Sequence, residues 1–297
     1  MPSPPVINQA MPGTLYIVAT PIGNLEDVTL RALRMLKECD AVAAEDTRVT
    51  RKLLSHYDIH TPLIAYHQNS RAERAEEILQ ILQDGGNVAL VSDAGTPGIS
   101  DPGHELIALC IAEGVRVESI PGPSAVITAV VVSGLPTAHF SFDGFPPRKD
   151  NERAAFFRSL RQDTRTICLY ESPLRLLKTL ASIHKELGDR QVAIVREATK
   201  LFEEVFRGRV SEAIEHFSAK KVRGEIVLVL HGAMHEDLDE ELQPELSLEA
   251  RLANLIESGL SERDAVRQCM IEYKLPKRLV YAAALKLKDG REPSPGP

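Results

Sequence analysis

The chain has 297 residues, 43% of them hydrophobic and 26% charged, with a formal net charge of −7. That length accommodates roughly two domains with cores of their own, which excludes a small stapled scaffold. No apolar run approaches the roughly 18 residues of a membrane span, and the acidic balance argues against indiscriminate binding to nucleic acid.

The first half alternates short apolar strands with amphipathic helices. Strands are expected at Leu15–Thr20, Ala41–Glu45, Leu63–Tyr66, Val88–Ser92 and Val115–Ile120, with helices over Val28–Glu38 and Ala72–Gln83 and a further one opening near Ser124. This pattern predicts a mainly parallel sheet covered on both faces, an N-terminal α/β domain over residues 13–133. Ser133-Gly134-Leu135-Pro136-Thr137 interrupts the chain. Beyond it, strands at His139–Phe142, Thr166–Tyr170, Val192–Val195, Glu203–Arg207 and Glu225–His231 alternate less regularly with helices near Asn151–Arg161, Leu174–Leu187 and Ser211–Phe217. The close spacing before Glu203 predicts a hairpin, hence a mixed sheet in a second α/β domain over 138–233. An acidic stretch, His235–Glu245, reads as a linker, and three short helices follow in a C-terminal helical domain over 246–290. Such a trio makes either a helix-turn-helix reader or a packing bundle. Residues 1–12 lack a basic start and an apolar stretch, so the chain reads as cytoplasmic with no membrane partner; residues 1–12 and Arg291–Pro297 read as disordered.

Cys39, Cys110, Cys168 and Cys269 are isolated in sequence and predict free, buried thiols, with no metal cluster and no disulfide framework. Charge is unevenly spread: residues 1–147 hold 9 Lys/Arg against 17 Asp/Glu, whereas residues 148–209 hold 14 against 9. That second stretch is the basic one, and a basic surface attracts polyanions.

Candidate chemistry lies in the loops that follow the first-half strands, since ligands of open α/β sheets bind at the carboxyl ends of strands. The run Val91-Ser92-Asp93-Ala94-Gly95-Thr96-Pro97-Gly98-Ile99-Ser100-Asp101-Pro102-Gly103 combines carboxylates and hydroxyls with glycines that expose backbone and prolines that fix it. Thr20-Pro21-Ile22-Gly23-Asn24 follows the first strand, Glu45-Asp46-Thr47-Arg48 the second, and Pro121-Gly122-Pro123-Ser124-Ala125 the fifth. None is a GxGxxG or Walker loop, so a Rossmann dinucleotide site and a P-loop ATPase lose support. Pro123 and Ser124 suit a helix start, Ser124 as its cap. Glu45, Asp46 and Arg48 fit either a capped helix with a surface ion pair or a site that orients hydroxyls and a phosphate.

In order and spacing, LYIVATPIGNLEDVTLRAL, AAEDTR, LVSDAGTPGISDPG, PGPSA and LYESPLRLL resemble the signature set of the ribosomal RNA small subunit methyltransferase I family, within the tetrapyrrole methylase superfamily. The likeness runs from about Thr14 to Gly232. It implies two α/β domains of the tetrapyrrole methylase type with a cofactor cleft between them, S-adenosyl-L-methionine as cofactor, a homodimer, and 2′-O-methylation of a cytidine ribose in the decoding region of 16S rRNA. The partner would be small-subunit rRNA or the assembled small ribosomal subunit. By position, Ile22 and Gly23, Asp93, Ala94, Gly95, Thr96 and Pro97, Ser124 and Ala125, Tyr170, and Leu228 correspond to cofactor-binding segments. On this reading no metal is required. Glu45 or Asp46 accepts or orients the hydroxyl proton, Arg48 holds a neighbouring phosphate and Asn24 helps to place the ribose, with Glu171 as the rival base. Arg148, Lys149 and Arg153 would meet rRNA phosphates. A methylase of a small tetrapyrrole or other small molecule is the alternative, although the first loop is less glycine-rich than that branch carries. A non-catalytic, cofactor-binding, RNA-associated protein is another.

Overall fold

The computed structural model describes residues 12–67, 71–234, 247–273 and 275–289. They fall into two compact units, one comprising residues up to 161 together with 165–232, the other residues 162–164 and those from 233 onward. The stretch read as an acidic linker (235–245), residues 1–11 and the tail from 290 lie outside the described residues. No described helix is long and apolar enough to cross a membrane.

In the larger unit, β1 (Thr14–Val18), β2 (Ala41–Ala44), β3 (Leu63–Ala65), β4 (Val88–Val91) and β5 (Arg116–Ile120) form a sheet in the order β3-β2-β4-β1-β5. Every pairing in it is parallel. Alternate side chains of the strands feed two cores. Leu15, Ile17, Ala43 and Leu90 pack with Ala75, Ile78 and Leu82 of α3 (Arg71–Gln83) and with Leu106 and Cys110 of α4 (His104–Ala112). Val18, Val42, Ala44 and Val91 face Ala32, Met35 and Leu36 of α1 (Leu30–Glu38) and Leu54 of α2 (Thr47–His56). Burial on both faces explains why β2 and β4 are apolar at every position. α1 starts two residues later than the sequence pattern indicates because Thr29 caps it, its Oγ1 accepting from Ala32 N at 3.0 Å.

The second sheet runs β6 (Phe140–Phe142), β7 (Thr166–Glu171), β10 (Ile226–Leu230), β8 (Gln191–Arg196), β9 (Glu204–Arg209) in spatial order. Only β6 and β7 pair in parallel, and β8 and β9 form the antiparallel hairpin, so the sheet is mixed. One face packs against α6 (Asp150–Ser159), α7 (Leu176–Leu187) and α8 (Val210–Ser218) through Phe157, Leu180, Ile183 and Phe217. The other face packs against α5 (Ala125–Ser133), whose Val126, Ala129 and Val130 meet Cys168, Ala193, Val195, Val227 and Val229. Thus α5 leaves the carboxyl end of β5 and completes the core under the other sheet, so that the two α/β lobes make one compact unit.

In the smaller unit, α9 (Leu248–Glu257), α10 (Glu262–Glu272) and α11 (Lys277–Asp289) share a core of Leu252, Leu255, Val266, Cys269, Val280 and Ala284. Ser247 and Ser261 cap the first two, each hydroxyl accepting a backbone N–H at 3.2 Å. All four cysteines are buried and free. Burial pushes the Cys39 and Cys168 thiols up to about 12, which keeps them protonated.

Candidate active site

Strand order decides where the loops meet. The connections leaving β1 and β2 carry α1 and α2 on one face of the sheet, while those leaving β3 and β4 carry α3 and α4 on the other. The loop after β4 therefore emerges between two neighbours whose chains turn away from it, the arrangement that opens a crevice in a parallel sheet. Both neighbouring loops are tied to it. Thr20 N donates to Gly95 O at 2.9 Å and Gly95 N to Thr20 O at 3.0 Å, so the chain leaves β1 at Val18, two residues short of the expected strand end. On the other side, Asp46 N donates to Asp93 Oδ1 at 3.0 Å. A third tie, Thr96 Oγ1 to Pro123 O at 3.3 Å, brings in the loop after β5.

Above these loops, between the two sheets of the larger unit, lies a cavity of about 340 Å³. Ile22, Ala94, Gly95, Thr96, Ser124 and Ala125 form its wall on the first lobe, and Tyr170 stands opposite among residues of the second. Gly95 adopts φ +78°, a left-handed conformation that brings bare backbone to the wall. Ser124 occupies the N-cap position of α5 but makes no capping hydrogen bond. Its expected capping role is therefore corrected, and Ser124 stands on the cavity wall instead.

Four of the residues matched to cofactor segments do not line the cavity. Leu228 is fully buried in the core against α6, α7 and α8, because alternation along β10 turns it to the far face. Asp93 and Pro97 flank the lining stretch Ala94–Thr96. Gly23 packs against the β8–β9 turn, where an added Cβ would stand 2.9 Å from both Ala198 O and Thr199 Oγ1. Asn24, in turn, caps a short turn through Glu26 N at 3.1 Å and donates its own N–H to Thr199 Oγ1 at 3.1 Å.

The sequence reading passed over several lining residues, Asp101, Phe145 and Glu225 among them. Among the described residues three carboxylate residues, Asp101, Glu171 and Glu225, contribute to the lining, and no Lys, Arg or His does. Glu171 is fully engaged: its Oε1 accepts from Ser172 N at 2.6 Å and pairs with Arg175 at 2.7 Å, and its Oε2 accepts from Thr179 Oγ1 at 2.5 Å. That engagement removes it as a rival base. Glu225 pairs with Lys200 at 3.0 Å. Asp101 has no cationic partner among the described residues; burial raises its carboxyl above the ordinary range, with the Ser92 hydroxyl working the other way. Burial, then the charges of Asp101 and Glu225, push the Tyr170 hydroxyl up to about 12, so it remains a neutral hydrogen-bond donor.

At the rim, Asp46 is the N-cap of α2 and holds Arg48 in a two-pronged ion pair, Nε to Oδ1 at 3.0 Å and Nη2 to Oδ2 at 2.7 Å. The Arg48 side chain, chiefly, and its backbone N–H hold the Asp46 carboxyl down at about 2. Such a weak base orients a hydroxyl better than it accepts a proton, which corrects half of the expectation for Asp46. Desolvation raises the neighbouring Asp93 carboxyl. Glu45, half-buried, is the first residue after β2, which stops one short of the expected strand end.

A parallel sheet and a mixed sheet flank a cavity of acidic and backbone-rich lining, which makes this a two-lobed α/β protein with a ligand-sized cavity between the lobes. Residues 14–214 match the family model of tetrapyrrole (corrin/porphyrin) methylases. The fold resembles that of a cobalt precorrin-4 methyltransferase of cobalamin biosynthesis, with a TM-score of 0.58 at 20% identity over 73% of this chain and 94% of that one. In sequence, the chain is 48% identical over 280 residues to the ribosomal RNA small subunit methyltransferase I of Synechocystis sp., covering 94% of this chain and 100% of that one. It is 53% identical over 220 residues to the protein of that name from Thermotoga maritima, covering 74% and 99%. The chain belongs to the ribosomal RNA small subunit methyltransferase I family of the tetrapyrrole methylases, and it is a methyltransferase.

Proposed function

We propose that this protein transfers a methyl group from S-adenosyl-L-methionine to the 2′-hydroxyl of a cytidine ribose in the decoding region of small-subunit rRNA, and that it works as a cytoplasmic homodimer. The observation that carries the cofactor assignment is the cavity, whose lining includes Asp101, a carboxylate with no cationic partner among the described residues, and Glu225, with no Lys, Arg or His among the described lining residues. S-adenosylmethionine is a cation carrying an ammonium and a sulfonium. The cavity volume is within the range of sites that enclose a small ligand, about 300–1,000 Å³. Asp101 and Glu225 would hold the positively charged end, Phe145 and Tyr170 would cover apolar and aromatic parts, and the backbone of Ala94–Thr96 and Ser124–Ala125 would fix orientation.

The cofactor supplies an electrophilic methyl carbon, so the chain's task is chiefly to aim the acceptor oxygen in line with it. Asp46, ionised and fixed by Arg48, would orient the ribose hydroxyl. Glu45 or Asp93 is the better placed proton acceptor, Asp93 having the raised affinity for a proton. Arg48, whose side chain is 84% exposed, keeps donors available for a neighbouring phosphate, and Asn24 stands on the adjacent loop. For the homodimer, Ile127 and Val131 expose an apolar stripe on one face of α5.

The test is transfer of labelled methyl groups to small subunits lacking their modifications, with nuclease digestion to locate the label. Label is expected on a cytidine ribose. Single Glu45→Ala, Asp46→Ala and Arg48→Ala variants should lose turnover at least tenfold with cofactor affinity nearly intact, and unchanged turnover in all three would remove the rim from catalysis.

A further inference from the structure

Much of the basic stretch of the sequence is engaged in ion pairs and hydrogen bonds, although Arg148, Lys178 and Lys185 stay exposed. Within residues 148–209, Arg153 is buried, its guanidinium donating to Ser182, to Arg148 O and to Asp150. This corrects its expected role at an rRNA surface. Lys149 pairs with Glu152, Arg158 with Glu186, Arg196 with Glu204, and Lys200 with Glu197. Arg207 and Arg209 donate to the carbonyls of Val132 and Asp189. Much of that stretch's positive charge is thus already engaged by neighbouring groups of the chain.

Helix α2 is the reverse case. It lies in the acidic half, yet Thr47–His56 contains Arg48, Arg51, Lys52 and His56 and no acid. Arg51 and Lys52 are exposed and have no ion-pair partner among the described residues. Leu53 and Leu54 are buried with Thr50, which turns Arg48, Arg51, Lys52, Ser55 and His56 outward at i, i+3, i+4, i+7 and i+8. At 1.5 Å per residue this stripe is about 12 Å long. It begins beside the candidate site: Arg48 clasps Asp46, whose N–H is bonded to Asp93, the residue before Ala94 of the cavity wall.

We propose that the outer face of α2 is a phosphate track on which the strand flanking the target nucleotide lies, with Arg51 and Lys52 as its phosphate-binding residues. The inference rests on the rRNA reading above. Two cations released from a single strand lower the salt slope of log K by about 0.7 each, about 1.4 in all, equivalent to about 25-fold in affinity at 0.1 M salt.

The full-length Arg51→Gln/Lys52→Gln variant would be compared with the unmodified protein for binding to unmodified small subunits and to deproteinised 16S rRNA between 50 and 200 mM KCl. Methyl-transfer kinetics, thermal unfolding and S-adenosylhomocysteine binding would be followed in parallel. The expected result is a slope shallower by about 1.4, a roughly 25-fold weaker Kd at 0.1 M salt for both RNA forms, a raised KM and a kcat within twofold. Unfolding and cofactor-product binding should match the parent. A Lys178→Gln/Lys185→Gln variant on the exposed face of α7 serves as the comparison and should leave the slope unchanged. An unaltered slope in the α2 variant, while the parent binds and methylates the subunit, overturns the track. So does a loss seen with subunits but not with deproteinised rRNA, which would make α2 a contact for ribosomal protein. Failure of the parent itself to methylate rRNA would instead refute the function proposed above.

Discussion

Replacing Gly23 by Ala tests whether the two lobes must meet closely at the cavity rim. The added Cβ would stand 2.4 Å from Lys200 Cγ and 2.9 Å from both Ala198 O and Thr199 Oγ1. The lysine methylene can swing aside, but the carbonyl belongs to the backbone, so the first loop must retreat by roughly 0.5 Å to reach ordinary contact. That retreat lengthens the 3.1 Å bond from Asn24 N to Thr199 Oγ1. Overpacking of this kind costs about 1–3 kcal/mol, and losing the hydrogen bond about 1 kcal/mol more. Because Ile22, the preceding residue, lines the cavity, cofactor binding should weaken about tenfold, the equivalent of about 1.4 kcal/mol. Denaturant unfolding and calorimetric titration with S-adenosylhomocysteine measure the two effects. Parental stability together with parental affinity would refute the argument that this contact positions the first loop.

Asp101→Asn removes the cavity carboxylate that has no cationic partner, so affinity for S-adenosylmethionine should fall while thermal stability at pH 7 rises. The sign follows from a raised carboxyl: its ionisation opposes folding above the unfolded-state pKa, and the gain should vanish as the pH falls below about 4. A variant that binds cofactor as tightly as the parent would detach Asp101 from the cation. Glu204 is partly desolvated, yet hydrogen bonds from His216, Lys220 and Arg196 outweigh that and hold it at about 2 against an ordinary 4.5. The difference converts to about 3 kcal/mol, of which roughly 1–2 kcal/mol survives screening at this quarter-exposed site. This stabilisation is complete above pH 4.5 and is lost as the pH falls towards 2, so Glu204→Gln should flatten the melting temperature over that window. Parallel profiles for parent and variant would count against the network.

Most strands were legible because they are short apolar runs between turn residues, β9 (EVFRGR) being found from its close spacing after β8 instead, and β1 was overextended where Thr20 exchanges a strand position for hydrogen bonds to Gly95. Helix α2 was legible from its cap, as one of two alternatives for Glu45, Asp46 and Arg48, and Asp46 does cap it and pair with Arg48; hydrophobic periodicity did not mark it. Its apolar side is limited to Val49, Leu53 and Leu54, and its inner face is completed by Thr50, a polar residue that periodicity discounts. The rim residues Asp46 and Arg48 could be found from one loop, since their pairing is local. Asp101 stood in the quoted glycine-rich run, but nothing there distinguishes a cavity carboxylate from a turn aspartate. Phe145, Tyr170 and Glu225 converge on Ser124 from separate strands and loops of the other sheet, a proximity created only by the fold. Leu228 marks the opposite error: a strand can border a cavity while every second side chain faces away from it.

The course of α5 has a mechanical consequence. The helix starts on the cavity wall at Ser124, is packed along its length into the second lobe's core, and is fastened near its end by Arg207, which donates to Val132 O. It acts as a strut that forbids the lobes to part on that side, because separation there would tear Val126, Ala129 and Val130 from the sheet. Across the cavity, by contrast, the first loop is latched to the β8–β9 turn through the bond between Asn24 and Thr199. The two lobes are therefore tied unequally, by a whole helix face on the Ser124 side and by the Asn24–Thr199 bond at the first loop.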